Sequence, residues 1–169
     1  MVSKNKTVIG TNVYVMVEGV SSPIAAKIDT GADGTSLWAS GLRVDAENKL
    51  YFTYFSPASP LYDGKEHVRS AYRVVKVTSS MGDSEVRFQI KQKITLGGRA
   101  VTVWCTLTDR STKTYPMLIG KRTLKNRFIV DVSMPEVPES PKEGKSYHER
   151  FLENPEALLR EYRTKEMDK

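Results

Sequence analysis

Cysteine and histidine are nearly absent from this chain of 169 residues. It has one cysteine, Cys105, and two histidines, His67 and His148, which lie far apart in the sequence. A single cysteine excludes an internal disulfide and any zinc site built from several cysteines. The two separated histidines argue against a structural zinc site, so we expect no metal. Scarce cysteine also suits a reducing cytoplasm.

Long apolar runs are absent as well. No stretch approaches the roughly 18 apolar residues that a membrane-spanning helix needs. The first residues, Met1 to Lys6, lack the apolar segment of a secretory signal. We therefore expect a cytoplasmic protein that does not contact a membrane.

Positive charge, in contrast, is in excess. The chain has 26 Lys and Arg residues against 20 Asp and Glu residues, a formal net charge of +6. Residues 134–169 hold seven basic and nine acidic side chains, a net charge of −2, which leaves +8 for residues 1–133. Such a balance is compatible with binding to nucleic acid or to an acidic polypeptide.

Short strand patterns fill residues 7–133. Val13, Val15 and Val17 alternate with neighbours that face the other way, and clusters of Gly, Pro, Asp and Ser separate successive runs. We count seven or eight strands, with none assigned between residues 35 and 49, a long hairpin over 68–96 and one short helix over 121–126. This pattern is typical of an all-β fold, a small barrel or sandwich, and we assign residues 1–133 to it.

The composition changes after this domain. Prolines indicate a linker over residues 134–146. Within residues 147–169, Asn154 is a suitable N-cap for a helix that has Pro155 at its first position. This helical tail either packs on the barrel of its own chain or docks on a partner, and both alternatives stay open.

The segment Asp29-Thr30-Gly31-Ala32 points to chemistry. It follows the apolar strand that ends at Ile28, and it occurs once in the chain. Gly31 lets backbone N–H groups approach the Asp29 carboxylate, and Thr30 can bond across to a second copy of the loop. Two facing carboxylates would share one proton and hold one water, one acting as base and the other as acid in amide hydrolysis. A plain turn is the alternative for this tripeptide.

Together with the later Met117-Leu118-Ile119-Gly120, this loop resembles the retropepsin-type aspartic peptidases. The similarity is greatest to the bacterial group labelled ATP-dependent zinc proteases, and it covers about residues 8–132. It rests on the segments Lys27 to Ala32, Ser79-Ser80 with Gly82, Leu96-Gly97-Gly98, Leu107 to Arg110 and Met117 to Gly120, and on Arg122, Leu124, Arg127-Phe128 and Val130-Asp131.

The resemblance implies a closed retropepsin barrel and an aspartic peptidase. Asp29 would be catalytic in a homodimer, Thr30, Gly31 and Ala32 would form the active-site loop, and Leu118, Ile119, Gly120 and Arg122 would support it. The group is associated with ATP-grasp ligases that add glutamates to protein tails. The chain has no His-Glu-x-x-His motif, cysteine pair or Gly-x-x-x-x-Gly-Lys-Ser/Thr loop, so we expect neither ATP nor any other cofactor.

The hairpin would form the flap over the site and contact substrate. The residues that we assign to this role are Lys76, Ser79, Ser80, Gly82, Glu85 and Arg87. A solvated strand face is the alternative, because runs of charge usually are solvated. Glu85 and Arg87 lie two apart and either pair with each other or reach a polypeptide substrate, which we expect to be acidic.

Other polar residues receive structural roles. We expect Arg110 and Arg122 to pair with Asp109, Asp33 or Asp131, and Asp131 to act as a hydrogen-bond anchor. We expect Cys105 to be buried, and His67 and His148 to face solvent. The sequence departs from the bacterial group at Asp33, Trp38 and Thr78, where relatives commonly have Arg, His and Arg.

Three other functions stay open. The first is a catalytically inactive binding module of the same fold, and the second is a viral-style protease that processes a polyprotein. The third is a nucleic-acid binder that stacks bases on Tyr51, Phe52, Tyr54 and Phe55. We rank nucleic acid last, because alternating aromatics in a strand are more often core.

Overall fold

The computed structural model describes residues 5–79, 81–137, 154 and 156. These residues form eleven strands and one short helix, more strands than the seven or eight that we counted. The elements are β1 (Thr7–Ile9), β2 (Asn12–Val17), β3 (Ile24–Asp29), β4 (Thr35–Val44), β5 (Leu50–Tyr54), β6 (Glu66–Arg69), β7 (Tyr72–Thr78), β8 (Ser84–Leu96), β9 (Arg99–Thr108), β10 (Met117–Gly120), α1 (Lys121–Leu124) and β11 (Phe128–Val130). The predicted helical tail over 147–169 lies outside the described residues, apart from Asn154 and Glu156.

The large sheet closes on itself. Its strand order is β10-β3-β2-β8-β9-β4-β5-β6, with β7 paired to β8. Strand β10 runs parallel to β3 and also pairs antiparallel with β4, which completes a ring of strands. The all-β, retropepsin-like barrel is therefore confirmed. No helix among the described residues is long and apolar enough to cross a membrane.

The barrel core is built from inward-facing residues of the alternating strands. In β5, Leu50, Phe52 and Tyr54 are buried while Tyr51 and Thr53 between them are half-buried. Burial raises the pKa of Tyr54 to about 12, and its hydroxyl donates to Oε1 of the buried Gln92 at 2.7 Å. Because Phe52, Tyr54 and also Phe55 are core residues, they cannot present a face for stacking bases.

Cys105 is fully buried on β9, as expected. His67 differs from the expectation. It is half-buried on β6 and packs against Phe52 and Tyr54, with ring centroids 5.6 and 4.5 Å apart. The reason is register, because the pairing of β5 with β6 sets His67 opposite Phe52. His148 lies outside the described residues.

The end of β11 is fastened to the barrel. The Asp131 N–H donates to the Ile9 carbonyl at 2.8 Å. The Asp131 carboxylate accepts hydrogen bonds from the N–H and hydroxyl of Ser133, at 2.9 and 2.7 Å, which close a local turn. Further along, the buried Asn12 amide bonds both the N–H and the carbonyl of Val137, at 3.0 and 2.9 Å. Residues 134–137 are thus held beside the start of β2. The boundaries of the linker and the tail stay a prediction.

Candidate active site

Asp29 stands at the carboxyl end of β3, where the buried strand leaves the sheet. The N–H groups of Gly31 and Ala32 both donate to its Oδ1, each at 3.0 Å. A Cβ on Gly31 would lie 3.3 Å from that oxygen, which explains the value of glycine here. These two donors fix the orientation of the carboxylate, and the neighbouring Thr30 is exposed.

Strand β10 runs directly behind this loop. Its register with β3 places Ile119 opposite Ile28 and Gly120 opposite Asp29. Ile119 is fully buried, and Leu118 is half-buried. The structure therefore brings Leu118, Ile119 and Gly120 next to Asp29, the position that we predicted for a supporting segment.

The connection from β10 into α1 is bonded to the loop that follows Asp29. The N–H groups of Lys121 and Arg122 donate to the carbonyls of Ala32 and Asp33, at 2.8 and 3.2 Å. The hydroxyl of buried Thr35 accepts the Gly120 N–H at 3.2 Å and bonds the Thr123 hydroxyl at 2.7 Å. No sequence pattern pointed to Thr35 or Thr123, whose hydroxyls meet only through the tertiary fold.

The predicted ion pairs of Arg110 and Arg122 with Asp109, Asp33 or Asp131 are absent from the described residues. The Asp33 carboxylate pairs with Lys121, at 2.7 Å, rather than with Arg110 or Arg122. The hydrogen bond and charge of Lys121 lower the pKa of Asp33. Arg110 instead donates to the Tyr115 carbonyl at 2.9 Å and to Ser36 Oγ at 3.1 Å. The Asp109 and Asp131 carboxylates accept hydrogen bonds from the N–H groups of Ser111 and Ser133. Both carboxylates are therefore hydrogen-bonded without an arginine.

The predicted flap is a hairpin of β7 and β8, paired from Tyr72↔Ile90 to Thr78↔Ser84. At its tip the Ser79 N–H donates to the Asp83 carbonyl at 2.7 Å, and Gly82 adopts a left-handed φ of +91°. Met81 is 89% exposed at this tip. Ser80, which we assigned to substrate binding, lies outside the described residues.

The charged residues of the hairpin have partners or face solvent. Arg87 forms an ion pair with Glu85, the first of the two alternatives that the spacing allowed. Lys76 is exposed on β7. The Arg73 guanidinium lies over the Trp104 ring, 3.8 Å from its centroid. Burial lowers the pKa of Arg110, and the charge of Arg87 lowers it further.

A family model described as the retropepsin-like aspartic endopeptidase RimB matches residues 8–141, most of the chain. The chain belongs to the RimB-like family. This match extends nine residues beyond the segment that we aligned by motif and includes the fastened residues 134–137. The suspected family is thereby confirmed.

Curated relatives of this RimB-like chain are named as ligases, whereas the family model describes an endopeptidase. Probable alpha-L-glutamate ligases of Shewanella pealeana and Shewanella halifaxensis are 32% and 31% identical over 136 residues, which is 78% of this chain. The chain spans only 30% of the length of these relatives. A solved structure from Legionella pneumophila, of unknown function, matches with a TM-score of 0.59 and 22% identity, over 79% of this chain and 98% of that one. This likeness supports the fold.

Within the described ranges, no group of three or more His, Cys, Asp or Glu side chains could hold a metal ion. Asp29 stands in a loop backed by β10, and the hairpin of β7 and β8 is a separate exposed element. A cavity lined by basic residues, which sequence reasoning missed, lies at the far end of α1.

Proposed function

We propose that this chain is an aspartic peptidase in which Asp29 activates a water for hydrolysis of an amide bond. The observation that carries the proposal is the double N–H contact to Asp29 Oδ1 at the end of a buried strand. This contact holds a carboxylate in a defined orientation at the surface, as a general base requires. The endopeptidase description of the RimB-like family supports the same chemistry.

The mechanism needs a second carboxylate, and the chain has one Asp-Thr-Gly segment. We therefore propose a homodimer in which Asp29 and its symmetry mate face each other across a two-fold axis. An exposed apolar pair on the small β1–β11 sheet supports this. Val8 and Ile129 are direct register partners and are 49% and 51% exposed, a surface that a second copy can cover.

The proposed reaction proceeds without a covalent intermediate. The pair of carboxylates carries one proton and holds one water. The ionised carboxylate takes a proton from this water, whose oxygen attacks the carbonyl carbon of the substrate. The protonated carboxylate supplies the proton that the leaving nitrogen needs, and the C–N bond breaks. The proton taken from water restores the shared proton, so the pair returns to its starting state.

We propose an acidic polypeptide as the substrate. Residues 1–133 carry a net charge of +8, which attracts a chain rich in carboxylates. The curated relatives are named glutamate ligases, and this chain matches about a third of their length. A peptidase that hydrolyses bonds between glutamates would act on the kind of bond that a glutamate ligase forms.

A second candidate is a binding module without peptidase activity. The names of the curated relatives favour it, because a domain that accompanies a ligase can act by holding the ligase substrate. Such a module would bind acidic peptides and leave them intact.

The test is cleavage of a peptide library that includes glutamate-rich members, read by mass spectrometry. We expect cleavage by the wild-type chain and a loss of at least about 1,000-fold in Asp29→Asn. Asp63→Asn is the matched control, since Asp63 is an exposed carboxylate that accepts the Lys65 N–H in a loop between β5 and β6. Binding without cleavage by the wild-type chain would favour the binding module, and activity surviving in Asp29→Asn would refute the assignment of Asp29.

A further inference from the structure

A cavity that the proposed mechanism does not use lies where α1 meets the start of β9. Its volume is about 460 Å³, and it is lined by Arg99, Arg122, Lys125, Asn126 and Arg127. Four of the five lining side chains are cationic, and none is acidic. This concentration of positive charge in a concave site favours an anionic ligand.

None of the cavity cations forms a direct ion pair with a carboxylate in the described part of the chain, although the charge of Arg122 contributes to lowering the pKa of Asp33. The ion pairs found there join Arg43 to Glu66, Arg87 to Glu85 and Lys121 to Asp33. Lys121, one residue before Arg122, is neutralised in this way, whereas Arg122 and Lys125 are exposed and outside any such pair. Their charge is therefore available to a ligand.

Two of the guanidinium groups are held in place by the backbone. Arg99 Nη1 donates to the Arg127 carbonyl at 3.4 Å, and Arg127 Nη1 donates to the carbonyls of Arg122 and Thr123, at 3.3 and 3.2 Å. A neutral carbonyl orients the guanidinium without cancelling its charge. Since each guanidinium has five N–H donors, both keep donors for an anion.

The cavity is joined to the catalytic loop through α1. The Arg122 N–H donates to the carbonyl of Asp33, four residues after Asp29. Arg122 thus borders the loop through its main chain and lines the cavity with its side chain. A polypeptide that occupies the cavity can extend from there towards the loop.

We propose that this cavity is an exosite that binds side-chain carboxylates of the polypeptide substrate away from the cleaved bond. The proposal rests on the proposed peptidase function. Arginine forms paired hydrogen bonds with a carboxylate, and four cations accommodate successive acidic side chains. An acidic peptide fits better than a nucleic acid, because no aromatic ring lines the cavity for a base to stack on.

The test is binding of a fluorescein-labelled peptide of ten glutamates to the full chain, measured by fluorescence anisotropy. All chains carry Asp29→Asn, which prevents cleavage of the probe. Arg122→Gln with Lys125→Gln removes two charges from the cavity, and Lys65→Gln with Lys113→Gln removes two from exposed positions elsewhere. We expect Kd to rise at least about tenfold in the first pair, since charge-assisted hydrogen bonds are lost, and less than about twofold in the second.

A further variant controls for misfolding of the double variants. Lys125→Glu changes one exposed side chain at the end of α1 and should weaken binding in the same direction, with an unfolding midpoint near that of the parent chain. Equal Kd values for the cavity and control pairs would overturn the exosite. A single strand of ten nucleotides that binds more tightly than the peptide, and depends on the same cavity residues, would overturn the acidic-peptide assignment.

Cleavage assays separate this proposal from the peptidase function. With Asp29 intact, Lys125→Glu should raise KM for the glutamate peptide while kcat stays within about twofold, because Lys125 lines the cavity beyond the end of α1 and has no part in supporting the Asp29 loop. An unchanged KM would refute the exosite and leave the peptidase proposal standing. Binding that depends on the cavity, with no cleavage by the wild-type chain, would refute the peptidase and leave the exosite.

Discussion

The backbone of Gly120 passes so close to Gly34 that a Cβ on Gly120 would lie 2.1 Å from the Gly34 carbonyl oxygen. The same Cβ would lie 2.9 Å from the carbonyl oxygen of Ala32. The atoms that it meets are backbone atoms of the loop that follows Asp29, which cannot move aside as a flexible side chain can. Glycine at position 120 thus lets β10 run against the loop that carries Asp29.

We therefore expect Gly120→Ala to destabilise the fold and displace the loop. The free energy of unfolding should fall by at least about 3 kcal/mol, because a clash of the added Cβ with backbone atoms can be relieved only by moving the main chain. Urea unfolding measures this change, and peptide cleavage measures the loss of activity. The control is Gly34→Ala, whose Cβ would have no atom within 4 Å and should change stability by less than about 0.5 kcal/mol. Equal stability of the two variants would contradict the close passage.

A shared pair of carboxylates predicts how activity falls when subunits are mixed. If wild-type and Asp29→Asn chains exchange freely at equal amounts, about one quarter of the dimers retain both Asp29 side chains. Activity per wild-type chain should then fall to about half, because a single carboxylate lacks its proton partner. Analytical ultracentrifugation measures the dimer, and a titration with the variant measures the activity. Activity that follows the wild-type concentration alone would indicate a monomeric enzyme.

Short-range patterns predicted the barrel and the loop, because alternation in β2 and β5 and the segment from Asp29 to Ala32 are local features. Strand β4 was missed for a physical reason. Thr35 to Ala39 are all buried, so they show no alternation, and β4 lies inside the ring between β9 and β10. Burial on both faces removes the signal on which a strand prediction depends.

The sequence also could not predict which long charged side chains pair with each other. Lys121 and Arg122 are adjacent and both basic, yet the turn from β10 into α1 directs only Lys121 to the Asp33 carboxylate. Arg122 lines the cavity together with Arg99, which precedes it by 23 residues. Such contacts depend on the tertiary path of the chain, and no motif encodes them.

The buried thiol of Cys105 should be unreactive in the folded protein. Burial raises its pKa to about 12, so it stays protonated at neutral pH, and the thiolate is the reactive form. We expect labelling by a thiol reagent to be at least about 1,000-fold slower in buffer than in guanidinium chloride, since it requires unfolding. The denatured chain should give one thiol. Rapid labelling of the folded chain would contradict the burial of Cys105.

His67 predicts that stability falls as the pH is lowered. Burial against Phe52 and Tyr54, aided by the charges of Arg69 and Lys65, lowers its pKa from the ordinary value of 6.5. The unfolded chain therefore binds a proton at a higher pH than the folded chain does. The contribution of neutral His67 to the free energy of unfolding is fully present above pH 6.5. It is lost as the pH falls through the lower pKa of the folded state.

His67→Gln removes this titration, because glutamine carries no ionisable group. Urea unfolding of both proteins between pH 7.5 and 5 measures the difference, and His148, present in both, cancels in the comparison. We expect the free energy of unfolding to fall more steeply with acid in the wild type, so the two curves converge as the pH falls. Parallel curves would mean that the His67 ring gains a proton as easily in the fold as in water, which its packing between two aromatic rings opposes.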